Sequence, residues 1–250
     1  MKFVLFNFLF IYPMLLPAQD IAGILKEANQ YETSMNDAQA IVTYRKVLAI
    51  QPYNIFALCK CSELCTRIAG RLKDSEVKQD DYYNVAKVYA QSALRVDPLY
   101  SDANFVMALT MGREAIRKGG SEKIKAVKDV KKYADLSIKY DSRNYKAWFV
   151  LGKWYYEVSG LNYFERTAVK IFFGALPPAT IDDVINCLEK VKILNPSFIL
   201  NYLSLAKAYK RNDEENVARQ NIMAMFNLPD KTQDDETIKN EGRELLKKWE

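Results

Sequence analysis

The sequence predicts an all-α chain: a right-handed α-solenoid of about five helix pairs closed by a C-terminal capping helix. Three observations predict it. The 250 residues include only 9 glycines and 8 prolines, so helix breakers are scarce among many strong helix formers. One spacing of large and small apolar residues recurs along the chain. Each recurrence is followed by a helix ending that carries proline, or once serine, in a fixed slot. At 49% hydrophobic, with 16 tyrosines and 12 phenylalanines, the chain can bury a sizeable core and does not read as disordered.

Residues 1–18 read as a cleavable export signal. Lys2 supplies the positive start, residues 3–16 an apolar stretch broken by Asn7 and Pro13, and Pro17-Ala18 a cleavage point before Gln19. The run is short for a bilayer span, and no cysteine stands at the cleavage point to take a lipid. An uncleaved membrane anchor is the alternative. Without Lys2 the chain keeps 35 basic and 31 acidic residues, a net charge of +4. Such a mild excess does not suit a dedicated nucleic-acid binder, which carries a stronger, clustered one.

Residues 19–250 read as one repeat domain. The spacing is complete at Trp148-Phe149-Val150-Leu151-Gly152-Lys153-Trp154-Tyr155, which fits the tetratricopeptide pattern W-x2-L-G-x2-Y without a mismatch. The first helix of such a unit must approach its partner closely. Gly152 is the small residue at the crossing, with Trp148, Leu151 and Tyr155 filling the space around it. Tyr202, Leu205, Ala206 and Tyr209 repeat the slots in a later unit. Ala28 and Tyr31, Ser62 and Cys65, and Ala108 and Met111 occupy the last two slots of the first three.

Second helices end on a related pattern. Tyr44, Val47, Leu48 and Pro52 form one ending, Ala90, Ala93, Leu94 and Pro98 another, and Leu188, Val191 and Pro196 a third. Ala134, Ser137, Ile138 and Ser142 place serine in the proline slot, and in Ile222, Met225 and Pro229 the proline comes one residue early. Proline cannot continue a helix, so it opens the turn to the next unit. These endings fall 46, 44, 54 and 33 residues apart. The early units therefore carry long helices or insertions. Residues 71–81 extend the hairpin of unit two, Lys118-Gly119-Gly120-Ser121 is the turn of unit three, and residues 159–178 are an insertion in unit four. A capping helix is expected over residues 232–249, with Thr232 as N-cap, acids in its first turn, Lys247 and Lys248 in its last, and Ile238, Leu245 and Trp249 on one face.

The chain has no histidine, which removes His-based general-base catalysis, Ser-His and Cys-His pairs and His-bearing zinc sites. No catalytic residue, cofactor or metal ligand is expected. Cys61 and Cys65 stand four apart on one helix and lack a second close pair, so Cys59, Cys61, Cys65 and Cys187 read as buried thiols; a disulfide through Cys187 stays open. In the insertion, Phe164, Ala168, Ile171 and Phe172 share a helical face. The helix is expected to pack on its own solenoid, with plugging or shaping of the concave groove as the other reading. Lys123, Lys125, Lys128, Lys131 and Lys132 read as a solvated outer face, interrupted by Glu122 and Asp129.

Over residues 148–246 the chain resembles the regulator of microtubule dynamics family. The resemblance is carried by Trp154-Tyr155-Tyr156-Glu157-Val158-Ser159-Gly160-Leu161, then Glu165-Arg166, Phe173-Gly174, Pro177-Pro178-Ala179-Thr180 and Leu194-Asn195-Pro196. Asn201-Tyr202, Leu205-Ala206-Lys207 and Tyr209-Lys210 continue it. The insertion is the discriminating part, because ordinary repeats lack it. The resemblance implies an α-helical repeat domain that binds partners without catalysis. It also implies a microtubule or organelle role in animal members, which the export signal sets aside here.

In this repeat class the first helices line the concave surface. A groove stripe is therefore expected from Arg67, Arg113, Lys146, Phe149, Lys153, Tyr156, Leu203, Lys207 and Lys210. Basic residues beside aromatic and aliphatic ones suit an acidic peptide or a C-terminal carboxylate. The expected function is a scaffold that captures a protein segment in a bacterial cell envelope, with no nucleic acid involved and a membrane only if the N-terminus stays uncleaved. A membrane-anchored cytosolic adaptor is the alternative.

Overall fold

A computed structural model describes residues 20–249; the export signal expected at residues 1–18 lies outside the described residues. Five helix pairs follow one another: α1 (Ile21–Thr33) with α2 (Asp37–Ile50), α3 (Ile55–Arg71) with α4 (Glu76–Val96), α5 (Ser101–Arg117) with α6 (Gly120–Tyr140), α7 (Tyr145–Ser159) with α9 (Ile181–Leu194), and α10 (Ile199–Arg211) with α11 (Glu215–Phe226). α8 (Tyr163–Phe173) is inserted between α7 and α9, and α12 (Asp235–Lys248) closes the stack. No strand occurs among the described residues. The chain is an all-α solenoid.

Local chemistry sets the boundaries. The second helices end at Ile50, Val96, Tyr140, Leu194 and Phe226, two or three residues before Pro52, Pro98, Ser142, Pro196 and Pro229. Asn54 and Asn144 then cap the next first helices, their side chains accepting the N–H of Ala57 and Ala147. The turn thus stops one helix and starts the next. The capping helix starts later than the sequence predicts. Asp234 is its N-cap residue, while Asp235 accepts the backbone N–H of Lys231 and Thr232 at 2.7 and 2.8 Å and folds residues 231–235 into a turn.

The recurring slots are core positions. Ala28, Ser62, Cys65, Ala108 and Ala206 are buried, as are Val47, Ala93, Ser137, Val191 and Met225 on the second helices. Gly152 shows why the slot must be small. A Cβ there would lie 2.9 Å from Leu188 Cδ2 and 3.2 Å from Cys187 Cβ, so α7 and α9 cross in contact. Where the slot is serine, the hydroxyl satisfies the partner helix: Ser62 Oγ donates to Ala86 O at 2.8 Å. All four cysteines are free and buried. Burial pushes the thiols of Cys61 and Cys187 up to about 12 and that of Cys65 to about 11.

First helices pack on one another from unit to unit, α3 on α5, α5 on α7 and α7 on α10, while the second helices diverge. That asymmetry curves the stack and turns the first helices to the inside. The inserted helix packs on its own solenoid, as expected, but not through its apolar face. α8 rests against α6, on the second-helix side and not in the groove. Its Phe164, Ile171 and Phe172 are 81%, 69% and 73% exposed. α6 turns Ala126, Val130 and Ala134 into the core, and the side it leaves at the end of α8 carries Lys128.

Candidate partner-binding groove

The inner layer is built from one charged stripe on each first helix. On α3, Lys60, Glu63, Arg67 and Arg71 follow at helical spacing on one face. Lys60 bonds Glu32 at 2.9 Å, Arg67 bonds Asp37 at 2.7 Å and Glu32 at 3.4 Å, and Arg71 bonds Asp37 at 2.6 Å. Asp37 is buried, so the two guanidiniums supply what water no longer does. Glu63 reaches past α5 to Lys146 of α7 at 2.7 Å, two units away. Desolvation alone would raise the Glu63 carboxyl. Lys146, Lys60 and Arg67 outweigh it and hold it down at about 2. The same pairing raises Lys146 against its own desolvation.

The remaining expected groove residues divide by what they touch. Phe149 packs edge-on against Phe198 at 5.0 Å, and Tyr156 lies under the Arg211 guanidinium at 4.1 Å. Leu203 is a correction: it is 1% exposed, because its side chain turns into the core between α10 and α11 and presents nothing to a ligand. Lys207 bonds Glu241 of α12 at 2.5 Å, and Lys210 bonds Glu215. With Arg67 and Lys146, that makes four of the six expected groove cations neutralised from within the chain. A uniformly basic stripe is therefore not what the fold presents.

Two cations stand apart. Arg113 lies over the Tyr83 ring at 6.0 Å, and Lys153 over the Tyr156 ring at 5.1 Å. Among the described residues neither has a carboxylate within ion-pair distance. Burial lowers the Lys153 ammonium; Glu157 and Glu241 oppose this, while Lys207 and Arg113 add to it. Arg113 of α5, Lys207 of α10 and Glu241 of α12 all bear electrostatically on Lys153 of α7. Sequence reading missed the acids there. Glu63 and Asp37, like Glu241, were legible only as single charges, because their partners lie on other helices.

α12 contributes its acidic side to this surface. Besides Glu241 on Lys207, Asp234 at its N-cap bonds Arg71 of α3 at 3.1 Å, across 163 residues of sequence. Among the described residues no group of three or more metal-ligating side chains occurs, and no helix is long and apolar enough to cross a membrane.

Comparison with known proteins agrees with this architecture. The family model described as Regulator of microtubule dynamics protein 1-3 matches residues 24–250. The mouse (Mus musculus) Regulator of microtubule dynamics protein 3 is 26% identical over 175 residues, 70% of this chain and 37% of that protein. Regulator of microtubule dynamics protein 1 of Caenorhabditis elegans is 24% identical over 195 residues, 78% and 84% of the two chains. The chain thus spans little more than a third of the mouse relative. Among solved structures, a thermophilic TPR protein of Thermus thermophilus superposes with a TM-score of 0.66 at 12% identity, covering 90% of this chain and 98% of that one. A second, titled for pilF of Pseudomonas aeruginosa, gives 0.53 at 12% identity, covering 91% and 84%.

Proposed function

The chain belongs to the regulator of microtubule dynamics family, and from that premise we propose that it is a non-catalytic scaffold that captures an acidic protein segment on its inner surface. The fold and family support a protein-interaction module. The observation that carries the finer reading is Lys153. It is a half-buried cation on the inner layer, depressed by desolvation against the pull of Glu157 and Glu241, with Arg113 and Lys207 as like-charged neighbours and, among the described residues, no carboxylate in ion-pair contact. A partner carboxylate placed there gains a charge-assisted hydrogen bond and relieves the repulsion. The way Glu241 engages Lys207 and Asp234 engages Arg71 is an example, within the chain, of how an acidic helix can be read by this surface.

The setting proposed from residues 1–18 is a bacterial cell envelope after export. A membrane-anchored cytosolic adaptor with a microtubule or organelle role, as the relatives' names suggest, is the second reading, and it follows if the N-terminal segment is retained. N-terminal sequencing of the protein from its native cells separates the two: a chain starting at Gln19 favours the first, one starting at Met1 the second.

Crosslinking capture from those cells tests the groove. Wild-type protein is compared with Lys153→Met, which keeps the side-chain volume and removes the charge. The expected result is a partner recovered with wild type and lost, by about tenfold or more, with Lys153→Met. Equal recovery of the same partner by both removes the groove as its binding site.

A further inference from the structure

We propose that α8 is a docking helix for an anionic lipid surface. Its apolar face looks outward by construction. Asn162 and Glu165 form a capping box at its start. Arg166 donates to Val158 O at 2.9 Å, Ser159 O at 3.2 Å and Leu161 O at 3.1 Å, tying the first turn to the end of α7. Leu161 before the helix and Leu176 after it pack against the main core. Held at both ends, the helix presents Tyr163, Phe164, Ile171 and Phe172 to solvent at 69–81% exposure, with exposed Ala168 between them. α4 also exposes four apolar residues, Val77, Val85, Val88 and Val96, at 38–75%, but none of them is aromatic, and α8 is the helix among the described residues whose aromatic side chains stand most exposed.

The charge beside this face identifies the occupant. Lys128 of α6 lies at the C-terminal end of α8, its Nζ 3.6 Å from where a Cβ on Gly174 would stand. Lys125 and Lys132, one turn either way along α6, share that side and are exposed or partly so. Together α6 and α8 hold eight basic and four acidic residues, so they carry +4 of the chain's +5. A short helix with aromatic residues outward and lysines alongside matches an interfacial helix, whose rings enter the headgroup boundary while the ammonium groups reach anionic phosphates. A second copy of the chain fits less well, because it would set these lysines against their own kind.

The test reads the environment of α8 itself, so that any binding through residues 1–18 does not mimic it. The four native thiols are buried, and Ala168→Cys adds an exposed one for a polarity-sensitive fluorophore. Mixing the full chain with vesicles of equal parts phosphatidylcholine and phosphatidylglycerol is expected to blue-shift the probe. Phosphatidylcholine alone is expected to leave it unshifted. Adding Phe164→Asp and Ile171→Asp to the labelled chain, at exposed positions that leave the core intact, is expected to weaken the response about tenfold or more, and Lys125→Glu with Lys132→Glu to weaken it and its dependence on salt. No shift on anionic vesicles, an equal shift on neutral ones, or an undiminished shift in the Phe164/Ile171 variant overturns the proposal. So does a shift that tracks protein concentration without vesicles, which would place a second copy on this face.

Discussion

Glu63 joins two first helices through its carboxylate, and its neighbours on α3 reach a third through Glu32. Lys146 comes from α7, while Lys60 and Arg67 are its neighbours on α3 that also bind Glu32 of α1. In the unfolded chain Glu63 takes up a proton near 4.5, and in the folded chain near 2. Between those values the unfolded state holds more protons, so stability is fully present above about pH 4.5 and is lost as pH falls toward 2, by on the order of 3 kcal/mol. Urea unfolding across that window is expected to show the loss in wild type and a flatter profile in Glu63→Gln. At neutral pH the same variant is expected to be about 3 kcal/mol less stable, because Lys146 is left inside without its counter-charge. Lys153 works in the opposite sense. Its charged form is disfavoured by the fold, chiefly through desolvation, so Lys153→Met is expected to raise stability, read as a higher thermal midpoint. Gain in stability with loss of capture is the signature of a side chain kept for binding.

At the scale of elements, each first helix is defined by what crosses it. Gly152→Ala would gain about 1 kcal/mol of helix propensity and lose more by forcing Leu188 and Cys187 away from α7. A net loss of roughly 1–2 kcal/mol is expected, measurable by denaturant unfolding. Gly70 on α3, with nothing within 4 Å of its missing Cβ, is the control: Gly70→Ala is expected to be neutral or stabilising. The slots were readable because the helix period and the need for a small crossing residue are both local. The insertion was readable only in part. Residues 164, 168, 171 and 172 state that one face of α8 is apolar, but periodicity cannot say what covers it.

For the whole molecule, the stack closes on itself electrostatically. Arg71 to Asp234 joins the second unit to the start of α12, and Glu63 to Lys146 joins the second unit to the fourth. The first of these pairs is about one-third exposed on both sides, so a double-mutant cycle is expected to give no more than about 1 kcal/mol, falling with salt. α12 matters more through its apolar face. Ile238, Leu245, Leu246 and Trp249 cover the last unit's Tyr202, Ile222 and Met225. Deleting residues 230–250 is expected to cost up to about 4–6 kcal/mol, an upper bound from buried apolar area. That is a large share of a typical domain's stability, and it predicts aggregation on size-exclusion chromatography.

The sequence by itself determined the class of fold, the slots where helices cross, the turns that separate the units and the presence of an apolar insertion. Each depends on residues within a helix or its nearest neighbour, and a solenoid is assembled from such nearest-neighbour terms. Only the tertiary structure decided which charges of the inner surface meet. Curvature brings together Glu63 and Lys146 across 83 residues and Arg71 and Asp234 across 163, and no local pattern encodes a distance set by the summed rotation of several units. The expected groove cations were therefore sorted by the fold, Arg67, Lys146, Lys207 and Lys210 into internal pairs, Arg113 and Lys153 left over aromatic rings. The same reason applies to α8, whose outward face is fixed by where α6 lies.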